Sequence, residues 1–294
     1  MSLHYHTSHA ALASAGLLFG AVCWGIIWYP YRLLEQHGIS GTVASIYAYS
    51  LCILVGVFLF RQQRQGAFKQ PINFIFLGLA VGWANLSYVL AIIDGQVMRV
   101  MLLFYLSPLW TVLLAKFFLH EHIDFKRMLV ILVALAGAIV MLWQPGEWPL
   151  PEHRAEWLGL SSGMAFALSN VITRHSTGLS LPAKSMSVWL GVLIVALVFA
   201  PYLSLHIPLP NEINTQDWML LLLVALMLLL ATIFVQYGVT HMMATQATVL
   251  FMFELVVAAV ASSLLTDEVM SLREWLGGAM VVAASLYAAW VSSV

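Results

Sequence analysis

Charge is what this chain has least of. Only 9% of its 294 residues are Asp, Glu, Lys or Arg, while 62% are hydrophobic. Soluble domains carry roughly a quarter of their residues as charges. That deficit excludes a water-soluble fold, which has nowhere to hide so much apolar surface. The few charges nearly balance, at a net −1. No basic run stands out, so nucleic acid is excluded as a partner. Cysteine is also scarce. Cys23 and Cys52 both lie inside apolar stretches, where ordinary packing thiols are expected and a structural disulfide is not. No Lys or Arg precedes the first apolar run, and no small-residue cleavage site follows it. A cleaved signal peptide is therefore not expected. Connections between apolar runs are too short to hold a soluble domain. Period-two alternation, the mark of a membrane barrel, is missing as well.

What remains is long, continuous apolar sequence such as Leu220–Leu230. A spanning helix needs ~20 mostly apolar residues. The chain divides into ten such spans, near 10–34, 41–60, 72–93, 97–119, 126–143, 155–175, 183–204, 217–240, 245–265 and 272–292. The expected fold is thus an all-α integral membrane protein. The short tail before the first span carries His4, His6 and His9; a disordered tail is expected there rather than a metal site.

The spans repeat. Sliding Arg99–Trp143 by 147 residues, half the chain, lays it on Gln246–Trp290. Leu103 then falls on Leu250, Phe104 on Phe251, Glu121 on Glu268, Leu129 on Leu276, Ala136 on Ala283 and Trp143 on Trp290, with Lys126 on Arg273. Residues 1–147 and 148–294 therefore read as two copies of one unit of five spans. An odd unit must insert its second copy upside down. Two inverted five-helix repeats around a central cavity are the architecture of an alternating-access carrier. With the N-terminus inside, Arg61, Arg64, Lys69, Lys116, Lys126, Arg127, Arg174 and Lys184 lie on the inner side. Arg32, Arg99, Arg154 and Arg273 lie on the outer. That bias predicts both termini in the cytoplasm.

Several motifs recur in the two copies. The first has Cys23-Trp24-Gly25 with Arg32, then Tyr88–Ala91, then Ser107-Pro108 and Leu119-His120-Glu121. The second has Ser169-Asn170 with Arg174, then Gln236-Tyr237-Gly238, then Glu254-Leu255 and Thr266-Asp267-Glu268. Leu255 stands where the first copy has Pro108, so the second copy lacks that helix breaker. On these motifs the chain resembles the EamA-type unit of the drug/metabolite transporter superfamily. Within it the chain looks most like YddG-type exporters of aromatic and other amino acids. The resemblance implies ten helices, a cavity walled by helices 1, 3, 4, 6, 8 and 9, placement in the bacterial inner membrane, and efflux without ATP hydrolysis.

A pathway for a small zwitterion needs polar or aromatic side chains facing the bundle interior. Trp24, Trp28 and Tyr31 share one face of helix 1. Asn85 and Tyr88 share one of helix 3, and Tyr105 precedes Pro108 on helix 4. Ser162, Phe166, Ser169 and Thr173 share a face of helix 6, with Asn170 beside it. Thr232, Gln236 and Thr240 share one of helix 8, and Thr248, Phe251 and Glu254 one of helix 9. Such Trp and Tyr residues also populate interfacial belts, and Ser and Thr also stitch helices together. The pathway set is Trp24, Trp28, Asn85, Tyr88, Tyr105, Ser169, Asn170, Gln236 and Glu254. Gly95 and Pro108 are the expected hinges. Glu254 is the one carboxylate deep inside a span, a functional candidate by default. It either binds a proton or a substrate ammonium, or meets a helix N-terminus or an interface. Glu121 and Glu268 end spans and are expected to cap the helix that follows.

Aromatic walls offer stacking and cation–π contacts, so amino acids with aromatic or bulky apolar side chains are the expected cargo. Efflux of toxic organic cations or other small metabolites, with or without proton coupling, is the alternative. No carboxylate lies between Leu12 and Leu34, which favours facilitated diffusion over coupling through helix 1. No nucleophile–base pair is evident, so an enzyme is not expected; neither are a cofactor, a metal or a protein partner beyond the lipid bilayer. A monomer is expected.

Overall fold

A computed structural model of the chain describes residues 2–61, 69–95, 97–143, 151–203, 206–265 and 270–293. Thr266, Asp267, Glu268 and the boundary expected between 147 and 148 lie outside the described residues.

Every regular element among the described residues is helical. The first half contains α1 (Ser2–Gln36), α2 (Gly41–Leu59), α3 (Pro71–Asp94), α4 (Val97–Phe104), α5 (Ser107–Leu114) and α6 (Phe125–Leu142). A π-helical turn, Ala115–Leu119, prolongs α5. The second half contains α7 (Arg154–His175), α8 (Leu181–Phe199), α9 (Thr215–His241), α10 (Ala244–Phe251), α11 (Phe253–Leu265) and α12 (Leu272–Ser293). The backbone of α1 is helical from Ser2, where a disordered tail had been expected. Local signals explain the boundaries. Ser40 and Ser180 accept the N–H groups of Val43 and Ala183 and so cap α2 and α8, the second helix of each half. Asp124 caps α6 and Asn214 caps α9. These oxygens satisfy N–H groups that have no partner within the helix.

Eight segments are long and apolar enough to cross a membrane: 11–36, 41–59, 71–92, 99–119, 125–142, 181–199, 215–241 and 244–265. The expectation was ten. The other two expected spans, α7 and α12, are not among these eight. In α7, Ser161, Ser162, Ser169, Asn170 and Thr173 dilute the apolar run.

Two of the eight are broken in the middle. The segment 99–119 divides at Tyr105–Leu106 into α4 and α5, and 244–265 divides at Met252 into α10 and α11. At both breaks the hydrogen bonding tightens to i→i−3. Leu106 donates to Leu103 and Leu109 to Leu106; Met252 donates to Val249 and Leu255 to Met252. Pro108 has no N–H to continue the first helix. The second breaks at the residue 147 places on from Tyr105 with Leu255 in the proline's place.

Small residues set the closest helix approaches. A Cβ added to Gly191 on α8 would stand 2.0 Å from the Gly78 carbonyl oxygen on α3. One added to Gly277 on α12 would stand 2.5 Å from that of Gly137 on α6. Without a hydrophobic drive between helices in lipid, such close packing supplies much of the association. The helices of the two halves interleave. α1 packs along α9 as α3 packs along α7, and α6 lies against α12. α1 also packs on α10 and α11, and α7 on α4 and α5. Each half thus lays its first helix on the other half's broken helix.

Candidate functional site

Where the broken helices meet α1, α3 and α7, aromatic rings form a continuous run. Trp24 on α1 lies 5.6 Å from Phe251 on α10, centroid to centroid. Phe251 lies 5.2 Å from Phe166 on α7, and Phe166 lies 5.6 Å from Phe104 on α4. Phe104 then meets Tyr88 on α3 at 5.0 Å and Tyr105 at 5.4 Å. Edge-on and tilted geometries dominate, as ring quadrupoles prefer. Phe104 and Phe251 are related by the 147-residue shift, and both meet Phe166. The run therefore spans the junction of the two halves.

Glu254 sits beside this run, in the first turn of α11. Its carboxylate takes no hydrogen bond or ion pair among the described residues; the residue keeps some accessible surface, although it lies deep among packed atoms. Tyr88 and Tyr105 stand near enough to feel its charge. The backbone around it is tightly held: a Cβ on Gly25 of α1 would stand 2.9 Å from the Glu254 carbonyl oxygen. The carboxylate, two phenols and the aromatic wall together could receive a cationic group attached to an apolar body.

The other expected pathway residues fall around this core. Asn85 is half-buried on α3, three residues before Tyr88. Ser169 is spent on its own helix, donating to the Phe166 carbonyl oxygen at 2.7 Å. Asn170 is buried, with an Nδ2 that has no partner among the described residues. Gln236 accepts from Thr173 at 3.2 Å and joins α9 to α7. Trp28 lies off the run and meets Tyr29 edge-on at 5.7 Å. Tyr31 pairs with Ser45 at 3.0 Å and joins α1 to α2. Gly95 ends α3 where a Cβ would stand 2.5 Å from the Ala155 Cβ. Pro108 is the second residue of α5, just past the break.

Each end of the bundle carries polar ties. At one end Arg99 on α4 pairs with Glu156 on α7 at 2.8 Å, and His37 with Asp217. At the other end Arg174 donates to the Thr240 carbonyl oxygen, and Lys184 donates to the Thr240 hydroxyl at 2.9 Å. Lys184 is fully buried. Both cations meet the last turn of α9, where the helix dipole is negative. Glu121 reaches across the halves at this same end. It accepts the Ala244 N–H at 3.0 Å and the Thr245 hydroxyl at 3.1 Å. It does cap a helix, as expected in kind, but the helix is α10 rather than the following α6, which Asp124 serves. One turn deeper, Thr248 on α10 donates to the Thr111 hydroxyl on α5 at 3.1 Å.

The α5–α10 seam is therefore closed. Its repeat-related counterpart is α11–α4. Among the described residues these two helices show no comparable packing. α7 also packs on α10 and on the π turn, whereas α1, its counterpart, does not pack in this way on α4.

Sequence reasoning placed Tyr88, Tyr105 and Trp24 in the site but left Phe104 out of the pathway set. The signal was present: Phe104 on Phe251 is one of the few identities between the halves.

Comparison with known proteins agrees with this geometry. The model of the EamA-like transporter family matches twice, over residues 12–143 and 153–290. An uncharacterized transporter of Pseudomonas aeruginosa is 26% identical over 60% of this chain and 59% of its own length. The chain thus aligns with less than two thirds of that relative. An uncharacterized transporter of Bacillus subtilis is 26% identical over 71% of each chain. One from Archaeoglobus fulgidus is 24% identical over 69% of this chain and 70% of its own. A solved crystal structure shares the fold with a TM-score of 0.74 at 16% identity, over 95% of this chain and 98% of its own. Apolar helices enough for several crossings, two broken helices at a shared aromatic core, and two matches to one family model lead to one conclusion: this chain belongs to the EamA-like transporter family.

Proposed function

We propose that the chain is a ten-span alternating-access exporter of amino acids in the bacterial inner membrane, with aromatic and bulky apolar side chains preferred. The observation that carries this reading is the ring run from Trp24 to Tyr88 and Tyr105, with Glu254 beside it. A substrate ring would stack within the run, and its ammonium would lie against Glu254. The interleaved packing supports a pseudo-two-fold relation between inverted halves, the arrangement in which one seam opens as the other closes. On this reading the structure is sealed at the α5–α10 seam and parted at α4–α11. The sealed end gathers Arg61, Lys69, Lys116, Lys126, Arg127, Arg174 and Lys184, against Arg32, Arg99, Arg154 and Arg273 at the other. The positive-inside rule makes the sealed end cytoplasmic, with both termini on that side and the cavity facing out.

Transport runs down the substrate gradient, since α1 carries no carboxylate in the membrane. One observation favours a second reading, efflux of organic cations: no Lys or Arg stands in the ring run to meet a substrate carboxylate. Counterflow in proteoliposomes separates the two. Phenylalanine-driven exchange at symmetric pH, retained in Glu254→Gln, is the expected result. Exchange of quaternary ammonium ions but not amino acids moves the assignment to the second reading. A pH gradient that concentrates substrate in the wild type but not in Glu254→Gln makes the carrier a proton antiporter.

A further inference from the structure

The geometry points to Glu121 as the latch of one gate: its carboxylate, bridging the first half's broken helix to the N-terminus of the second half's, holds the α5–α10 seam shut. This deepens the alternating-access reading and rests on it. Three features place the carboxylate there. The π turn at Ala115–Leu119 widens the end of α5. His120 then adopts a left-handed backbone, φ 54°, a conformation uncommon outside glycine. The Glu121 N–H returns to the Ala115 carbonyl oxygen at 3.3 Å, so the chain turns back over its own helix end. The side chain is thereby aimed at α10 instead of at α6. A π turn inside a helix is rare and often marks a functional site.

The contact it makes suits a latch. A carboxylate on a helix N-terminus gains from both the free N–H groups and the dipole. The bond joins elements that otherwise belong to different halves, so it must break if those halves separate at this end. Beneath it lie the Thr248–Thr111 bond and the packed Ala115, Val171 and Ala244. These close only while α5 and α10 stay together. The deep part of the seam therefore has weak ties of its own, and the charged tie sits at its mouth.

Labelling of a buried cysteine tests this without reference to any substrate. In a Cys23→Ala, Cys52→Ala background, Ala115→Cys reports the latched end and Ala155→Cys the opposite end; both alanines are buried. A membrane-impermeant maleimide is applied to each side of sealed vesicles. Adding Glu121→Ala should raise labelling at 115 roughly tenfold or more, the scale of one charge-assisted hydrogen bond, and should not raise it at 155. Thr245→Val should raise it by a smaller factor, and Glu121→Gln should fall between. Unchanged labelling at 115, or an equal rise at both positions, overturns the latch; the second outcome would mean general loosening. If Glu121→Ala does not fold, Thr245→Val decides by the same two positions. A wild type that exchanges no amino acid would sink the proposed cargo and leave the labelling result standing.

Discussion

The two broken helices lie 147 residues apart in the chain, and they differ in what they touch. α4–α5 and α10–α11 break at positions 147 residues apart, and each lies on the first helix of the other half. Yet α5 is zipped to α10 by Glu121, Thr245, Thr111 and Thr248, while α4 and α11 show no comparable packing. The difference teaches that the repeat sets the parts and their hinge points but not the state. Where one seam has Thr245, Thr248 and Thr111, the related positions in the other are Met98, Met101 and Ala258; the position related to Glu121 is Glu268, which lies outside the described residues. The hydroxyl bonds of the closed seam thus have no counterpart in the other.

The sharpest break in the comparison should come from the tie at the parted end. Arg99→Ala removes the charged partner of Glu156, which is 4% exposed, and leaves its carboxylate only backbone N–H groups such as that of Glu152. Removing one member of a buried pair costs about 3–5 kcal/mol. A fall of several degrees in the Tm of detergent-purified protein is expected; an unchanged Tm would show that water already screens the pair.

The next largest effect belongs to the ring run. Phe104→Ala and Phe251→Ala remove related residues, each with rings on two or more sides. Core Phe→Ala changes cost about 3–5 kcal/mol; Phe251, 3% exposed, should lose more of that than the partly exposed Phe104. Both should cut exchange by roughly tenfold, the loss of one or two aromatic pairs. Normal exchange in either variant would detach the rings from the pathway.

A smaller change sharpens the contrast between the seams. Thr248→Val removes the bond to Thr111 with little change in volume. It should cost about 1 kcal/mol and raise maleimide labelling at the α5–α10 end without raising it at the other. An equal rise at both ends would mean general loosening rather than release of one seam.

The smallest effect tests the break itself. The second copy breaks with Leu255 in place of proline, so Pro108→Leu should leave the first break and exchange within about threefold of wild type, below the 1.4 kcal/mol that a tenfold change represents. Loss of exchange with intact folding would show that the two breaks have different causes.

The order of helices was legible because a lipid-facing segment must be long, apolar and helical, and the chain states that by composition alone. The eight clear spans follow from their runs; α7 blurs because serines and an asparagine dilute it. Tyr88 and Trp24 could be nominated as polar-edged aromatics deep in apolar sequence. Asn170 and Glu254 could be nominated for the same reason. Trp28 carried the same signal and lies elsewhere, since helical phase alone does not say which neighbour a face meets.

The amino-acid order by itself determined the membrane solvent, the apolar run of each clear span and the place of Pro108. These depend on local hydrogen bonding and on transfer of side chains from water, which each segment decides alone. Only the tertiary structure decided that the α10–α11 segment breaks without a proline, that Glu121 caps α10 across the halves, and that Phe104 joins Tyr88 to Phe166. Those outcomes depend on which distant backbone comes within 3 Å, and that is set by small residues such as Gly25, Gly78 and Gly191 meeting helices far away in the chain.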